Sequence, residues 1–269
     1  MNTLFVPTDF SPNAEKALNY AIQLAKKTKG EIILYHAVSL DELELTIRQI
    51  EIKMLDLARK VFESDGVRIT SRIDEEGLTI SGMAAAIIET GATLVVMGTL
   101  GNSAFKEKVF GSNTAALLGK TDVPMLVIPL LAQWKLPETI LVTINKFDGD
   151  TAVLEPVFKL AGVYGATVQV ATFTDTDDDY VEDFEEDEIK ITAYRDLVRK
   201  KYPGTEIQAV HLASPHLRAS LKNWIGNNNI DMLVMLTHKR NVIESIFNPS
   251  VTKKMTYHTD IPLLCIPVK

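Results

Sequence analysis

The stretch Leu94–Ser112, LVVMGTLGNSAFKEKVFGS, decides how this chain is read. Four apolar residues, Leu94 to Met97, run into Gly98 and Gly101, and after an excursion Gly111-Ser112 opens a helical pattern, NTAALLGK. The succession predicts a buried strand, a glycine turn, a loop and a helix N-terminus. That order suits a phosphate chain. Glycines let backbone N–H groups approach an anion with no Cβ in the way. The first turn of a helix offers unpaired N–H groups and the positive end of a dipole, and Ser112 adds a hydroxyl. The plainer alternative is that Gly98 and Gly101 only shape a strand-to-loop turn and Ser112 only caps a helix.

Outward from this stretch, the first half alternates strand and helix. Leu4 to Thr8 reads as a short strand, and Ser11-Pro12 as a helix start with Ser at N-cap and Pro at N1. Ala14, Ala17, Leu18, Ala21, Leu24 and Ala25 trace one apolar face, and Gly30 is expected to end that helix. EIILYHA is a second strand; Ile47, Ile50, Met54, Leu57 and Val61 step along a second helix; VRITSRI alternates as a third strand. MAAAIIETG, TLVVMG, the helix after Gly111 and PMLVIP complete the series. Such alternation predicts an α/β fold with a doubly wound parallel sheet of five strands in the order 3-2-1-4-5. Ligands of open α/β sheets bind outside the strand carboxyl ends, where the strand order reverses. Asp9 follows strand one and Gly98 ends strand four, so both fall at that crevice.

The chain repeats itself. DVPMLVIP (Asp122 to Pro129) recurs as DIPLLCIP (Asp260 to Pro267), LVVMGT as MLVMLT, KVFGSN as SIFNPS, and TLFVPTDF as TILVTINKF. Self-similarity at domain length means two copies of one domain. We place them at residues 1–132 and 137–269, joined by LAQWKLPE.

Composition narrows the class. Of 269 residues 46% are hydrophobic and 23% charged, with a net charge of −7, as in ordinary globular chains. No basic block supports nucleic-acid binding, and no apolar run reaches the roughly 18 residues of a membrane span. MNTLFVPTDF lacks the charged and apolar regions of a signal peptide. The single cysteine, Cys265, lies in the apolar run PLLCIPV and reads as a small core residue. No intrachain disulfide is available to it, and together these features predict a cytoplasmic protein.

Two common phosphate patterns, G-x-x-x-x-G-K-[ST] and G-x-G-x-x-G, are missing. Gly98-x2-Gly101-x9-Gly111-Ser112 instead resembles the nucleotide-binding signature of the universal stress protein family of the UspA type, and the resemblance spans nearly the whole chain. It implies two tandem Rossmann-like domains of the adenine nucleotide α-hydrolase-like fold. It also implies an ATP, ADP or AMP ligand, with a Mg or Mn ion compatible beside it. Pro7-Thr8-Asp9-Phe10 matches the family's first motif, so Asp9 and the backbone near Ala37 are expected to hold adenine. Met97 and Gly98 would back the nucleoside, while Gly101, Gly111, Ser112 and Asn113 hold the phosphates. Family members often carry a small or β-branched residue where Asn113 stands. From the residues alone, Asp9 also reads as an ordinary turn aspartate, and Lys106 and Lys108 as solvated loop lysines. Family members commonly dimerise through their last strands. Here PMLVIP and PLLCIP would make that contact within one chain, as a pseudo-dimer, with a further homodimer also compatible.

The second copy departs at each informative position: Asn145 for Asp9, Leu236 for Gly98, Lys239 for Gly101, Asn248 for Gly111, with Pro249 removing an N–H donor. A degenerate copy that binds no nucleotide is expected, with Lys239 and Arg240 as the competing idea of a different anion site. The acidic run DTDDDYVEDFEEDE (Asp175 to Glu188) puts Asp175, Asp177, Asp179 and Glu186 at calcium-loop spacing, but Tyr180 stands where the turn demands Gly. A solvated lead into an acidic helix start is the preferred reading. No catalytic constellation is present; slow ATP hydrolysis is only compatible with the family. The function expected is that of a nucleotide-dependent stress-response protein with an unidentified protein partner. The alternative is an interaction module whose phosphate loop is a relic.

Overall fold

A computed structural model describes the chain except for residues 1, 39–43, 76, 78, 100–111, 145–150, 175–180, 215–216, 239–259 and 269. At 44, 45, 112, 181–183, 217, 218 and 238 it describes the backbone alone. The chain divides into two compact units, one containing residues 1–134 and the other residues 135–236 and 261–268.

The first unit runs β1 (Thr3–Pro7), α1 (Pro12–Thr28), β2 (Glu31–Ala37), α2 (Glu44–Asp65), β3 (Ile69–Asp74), α3 (Ile80–Glu89), β4 (Leu94–Gly98), α4 (Ser112–Leu118) and β5 (Met125–Ile128). Its strands are parallel and hydrogen-bond side by side in the order β3-β2-β1-β4-β5. The inner strands are apolar without alternation because helices cover both faces. Leu4, Phe5, Val6, Ile32, Leu34, Leu94, Val95 and Val96 are all buried, whereas β3 at the edge is mostly half-exposed. Burial of each large apolar side chain contributes roughly 1.5–3 kcal/mol.

Helix α1 begins as its sequence dictates. The Ser11 hydroxyl accepts from the Ala14 N–H at 3.2 Å, and Pro12 occupies the first helical turn. The six apolar residues of its predicted face are buried. Its end differs from expectation by one residue. Lys29, not Gly30, takes the left-handed conformation (φ 53°), and the Gly30 N–H bonds to the Ala25 carbonyl at 3.0 Å. A non-glycine residue there costs about 1–2 kcal/mol. Helix α2 buries Ile50, Met54 and Val61 as its spacing predicts, yet it also leaves Ile52, Leu55 and Phe62 exposed on its outer side.

The second unit contains β6 (Thr139–Thr143), a 3-10 turn at Thr151–Leu154, α5 (Glu155–Tyr164), β7 (Thr167–Thr174), α6 (Val181–Lys201), β8 (Ile207–Ala213), α7 (Leu217–Asn227), β9 (Met232–His238) and β10 (Leu263–Val268). Its strands lie in the order β10-β9-β6-β7-β8. Gly165 closes α5 in the left-handed conformation (φ 70°). Cys265 on β10 is fully buried, and that burial pushes its thiol up to about 12. Within the acidic run, residues 175–180 lie outside the described residues. Glu186 is a helical residue of α6, ion-paired with Lys190 at 2.6 Å. Among the described residues no helix is long and apolar enough to cross a membrane.

The linker is secured at each end by its own unit. On the first side Tyr20 donates its hydroxyl to the Gln133 carbonyl and meets Trp134 edge-on at 5.0 Å; burial raises the phenol to about 12. On the second side the Asp231 carboxylate accepts from the Glu138 N–H at 2.8 Å and the Thr139 N–H at 3.1 Å, and pairs with Lys135 at 2.7 Å. Asp231 thus fixes the first residue of β6 against the start of β9. Asp231→Ala leaves two N–H donors without that carboxylate and is expected to cost roughly 2–4 kcal/mol in urea unfolding of the full chain. Lys135→Met, which removes an exposed partner, is expected to change little.

Candidate functional site

The site predicted from the sequence lies at the carboxyl ends of β1 and β4, adjacent strands on either side of the reversal in strand order. β1 pairs with β4 at Leu4–Leu94 and Phe5–Val95, while β1–β2 pairing runs on to Pro7–Tyr35 and β4–β5 pairing to Gly98–Ile128. The ends of β1 and β4 are therefore held by their outer neighbours rather than by each other. This is the geometry of the crevice that open α/β sheets use for ligands.

Beyond Pro7 the chain makes a tight, internally bonded turn. The Thr8 N–H donates to the Tyr35 carbonyl at 2.8 Å and the Thr8 hydroxyl accepts from the Phe10 N–H at 3.0 Å. Asp9 is exposed, and its Oδ1 accepts from the Ser11 N–H at 3.0 Å. Phe10 is left-handed at φ 56°, a conformation that costs a non-glycine residue about 1–3 kcal/mol. Its ring lies 4.8 Å from the His36 imidazole, and the Lys53 ammonium sits 3.9 Å over the ring centroid. Asp9 therefore does perform the turn role that its sequence suggested. The turn that holds it directly follows the carboxyl end of β1.

On the β4 side, Gly98 is buried for a reason the sequence did not show. A Cβ on Gly98 would stand 2.7 Å from Nδ2 of Asn13, 2.8 Å from its Cγ and 3.0 Å from its carbonyl. Helix α1 thus passes directly over the end of β4. Asn13 donates to the Thr99 hydroxyl at 3.4 Å, and the buried Thr114 hydroxyl of α4 donates to the Gly98 carbonyl at 3.0 Å. One glycine joins α1, β4 and the first turns of α4. Ala37 and Met97 are half-buried at their strand ends, Ser112 opens α4, and Asn113 is exposed beside it. Gly101, Gly111, Lys106 and Lys108 lie outside the described residues. Pro7, Thr8, Asp9, Ala37, Met97, Gly98, Ser112 and Asn113 all follow or end the strands, or start the helix, at this one edge of the sheet.

Behind the turn, Tyr35 donates to Asp74 at 2.7 Å. Burial first, and that carboxylate second, hold its phenol well above the ordinary tyrosine range. Sequence reading missed Asn13, His36, Thr99 and Thr114. Their only signal is polarity at positions where helical or strand periodicity calls for core residues.

The second unit differs at the same place. β6 pairs with β9 over four residues, from Ile140–Met232 to Thr143–Met235, and the Thr143 hydroxyl donates to the Val234 carbonyl at 3.2 Å. Strand register puts Leu236 where β4 has Gly98, and Phe173 where β2 has Ala37. Asn145, Lys239, Arg240, Asn248 and Pro249 lie outside the described residues.

Gly98→Ala in the full chain is expected to lose about 1–3 kcal/mol in thermal or urea unfolding through overpacking against Asn13. Combining it with Asn13→Ala should recover part of that loss. Additive losses in the double variant would show that the clash lies elsewhere.

The universal stress protein family model matches the chain twice, at residues 1–129 and 137–267. Universal stress protein Sll1654 of Synechocystis sp. is 28% identical over 139 residues, covering 47% of this chain and 85% of that protein. Universal stress protein MJ0577 of Methanocaldococcus jannaschii is 25% identical over 152 residues, covering 46% of this chain and 93% of that protein. The crystal structure of a universal stress protein from Archaeoglobus fulgidus superposes over 99% of this chain and 98% of its own, with a TM-score of 0.73 at 18% identity, which speaks for the fold alone. With the family matched on both copies, this chain belongs to the universal stress protein family as a tandem, two-domain member.

Proposed function

We propose that the chain binds an adenine nucleotide, ATP in the first instance, at one site in its first domain, and that the second domain takes none. The observation that carries this reading is the edge formed by Pro7–Asp9 and Met97–Gly98. These segments end adjacent strands whose mutual pairing runs only to Phe5–Val95, with the start of α4 tied to Gly98 by Thr114. In this reading the base lies between the Asp9 turn and the backbone at Ala37. The phosphates then extend over Gly98 toward Gly101, Gly111, Ser112 and Asn113, where small residues allow backbone donors to approach. Met97 backs the nucleoside. A Mg or Mn ion accompanies the phosphates in this reading, and ADP or AMP competes for the same place. In the second domain the longer β6–β9 pairing and the side chains of Leu236 and Phe173 stand against a nucleotide. Domain limits of 1–132 and 137–269 follow from the same reading. Nucleotide occupancy then acts as a regulatory signal rather than as an early step in a reaction.

A specific observation supports a second reading, an interaction module. Helix α2 carries Ile52, Leu55 and Phe62 on its outer side at 64%, 63% and 59% exposure, more apolar surface than a solvated helix face needs. Calorimetric titration of the nucleotide-stripped full chain with ATP separates the two. Saturation near one ATP per chain is expected. Two per chain would mean that Leu236 and Phe173 do not close the second site, and no heat up to millimolar ATP would favour the interaction module.

A further inference from the structure

His36 is the last side chain of β2 on the face that looks toward Phe10, and it is 8% exposed. Its Nδ1 lies 2.8 Å from the Thr8 carbonyl. A carbonyl only accepts, so Nδ1 is the donor in this contact. The ring's Nε2 is buried with no hydrogen-bond partner among the described residues. The imidazole therefore spends this donor on one backbone atom. It keeps a second, desolvated polar nitrogen that an apolar side chain would not have, an expensive choice for a residue that only fills space.

Thr8 is where β1 leaves the sheet. Its N–H makes the last main-chain bond to β2, at Tyr35, and its carbonyl is taken by the His36 side chain instead of continuing as strand. The next residue is Asp9, and the one after it is left-handed Phe10, whose ring rests on the same imidazole. Lys53 of α2 covers the Phe10 ring. A strained conformation persists only where its surroundings over-determine it. Here the surroundings include one hydrogen bond and one ring contact from His36, beside the Thr8 hydroxyl, the Asp9 carboxylate and Lys53.

We propose that His36 is the positioning residue for the Asp9 turn: its Nδ1–H fixes the Thr8 carbonyl and its ring seats Phe10, so nucleotide affinity depends on an imidazole that does not touch the nucleotide. The nucleotide half of this statement rests on the proposed function; the turn half does not. In the second domain, strand register puts Thr172 at the His36 position, a side chain without a ring.

Asparagine places a donor at the position of Nδ1, glutamine moves it one atom outward, and leucine removes it. The test compares His36→Asn, His36→Gln and His36→Leu in the full chain by two readouts: ATP dissociation constant, and hydrogen exchange at the Phe10 and Ser11 amides without nucleotide. Leucine and glutamine are expected to weaken ATP binding about tenfold or more, the equivalent of one lost hydrogen bond, and to speed exchange at both amides. Asparagine, which keeps the donor but not the ring, is expected to fall between the parent and leucine in both. Unchanged exchange and affinity in the leucine variant would overturn the proposal, as would an asparagine variant as impaired as leucine. Should the leucine variant not fold, glutamine against asparagine decides. Should the parent take no ATP, the function proposed above fails by itself, and amide exchange still decides the role of His36.

Discussion

No side chain fits between Gly98 and Asn13. A Cβ placed on the glycine would lie within 3.0 Å of three atoms of that one residue, and this contact sets how close α1 lies to the end of β4. Because the Asp9 turn leads directly into α1, the contact also fixes the distance between Asp9 and Gly98. Thr114 then ties α4 to the Gly98 carbonyl. The arrangement of the proposed site thus follows from helix-on-sheet packing at one point. A glycine that reads in sequence as an accommodation for phosphate is already required for the fold. The consequence is that replacing Gly98 by the second copy's leucine disturbs packing before it disturbs any ligand.

The two copies share a strand order and differ at the crevice. In the first, β1 and β4 pair at two positions and their ends are held by outer neighbours; in the second, β6 and β9 pair over four, up to the last residue of β6. The substitutions at Leu236 and Phe173 sit at that same edge. On the function proposed above, a second copy that takes no ligand is free to extend its sheet there, because main-chain hydrogen bonds and added side-chain burial both favour the closed arrangement. The inner strands remain near-continuous apolar runs in both copies.

Much of this was legible in the sequence because it depends on local rules. Ser11-Pro12 started α1, the apolar spacing marked the buried faces of α1 and α2, and unbroken runs such as LVVM and LVI marked strands covered on both sides. The repeat of DVPMLVIP as DIPLLCIP identified the second copy. What escaped depends on long-range contacts. Gly30 carried the residue type of a helix stop, yet Lys29 took the left-handed position. His36 lay inside EIILYHA, where periodicity treats every residue as core and gives no hint that its ring would meet a carbonyl 28 positions earlier in the chain. The packing role of Gly98 is invisible until one knows which helix crosses it. The glycines at 101 and 111 and the loop between them remain a matter of motif alone.

The measurement that tests the central claim most directly is a crystal structure of the full chain grown with a non-hydrolysable ATP analogue. The account predicts one nucleotide per chain, its base beside the Asp9 turn and Ala37 and its phosphates over Gly98 toward Ser112. Density for the nucleotide at the carboxyl edge of β6 and β9, or away from both sheet edges, would contradict it.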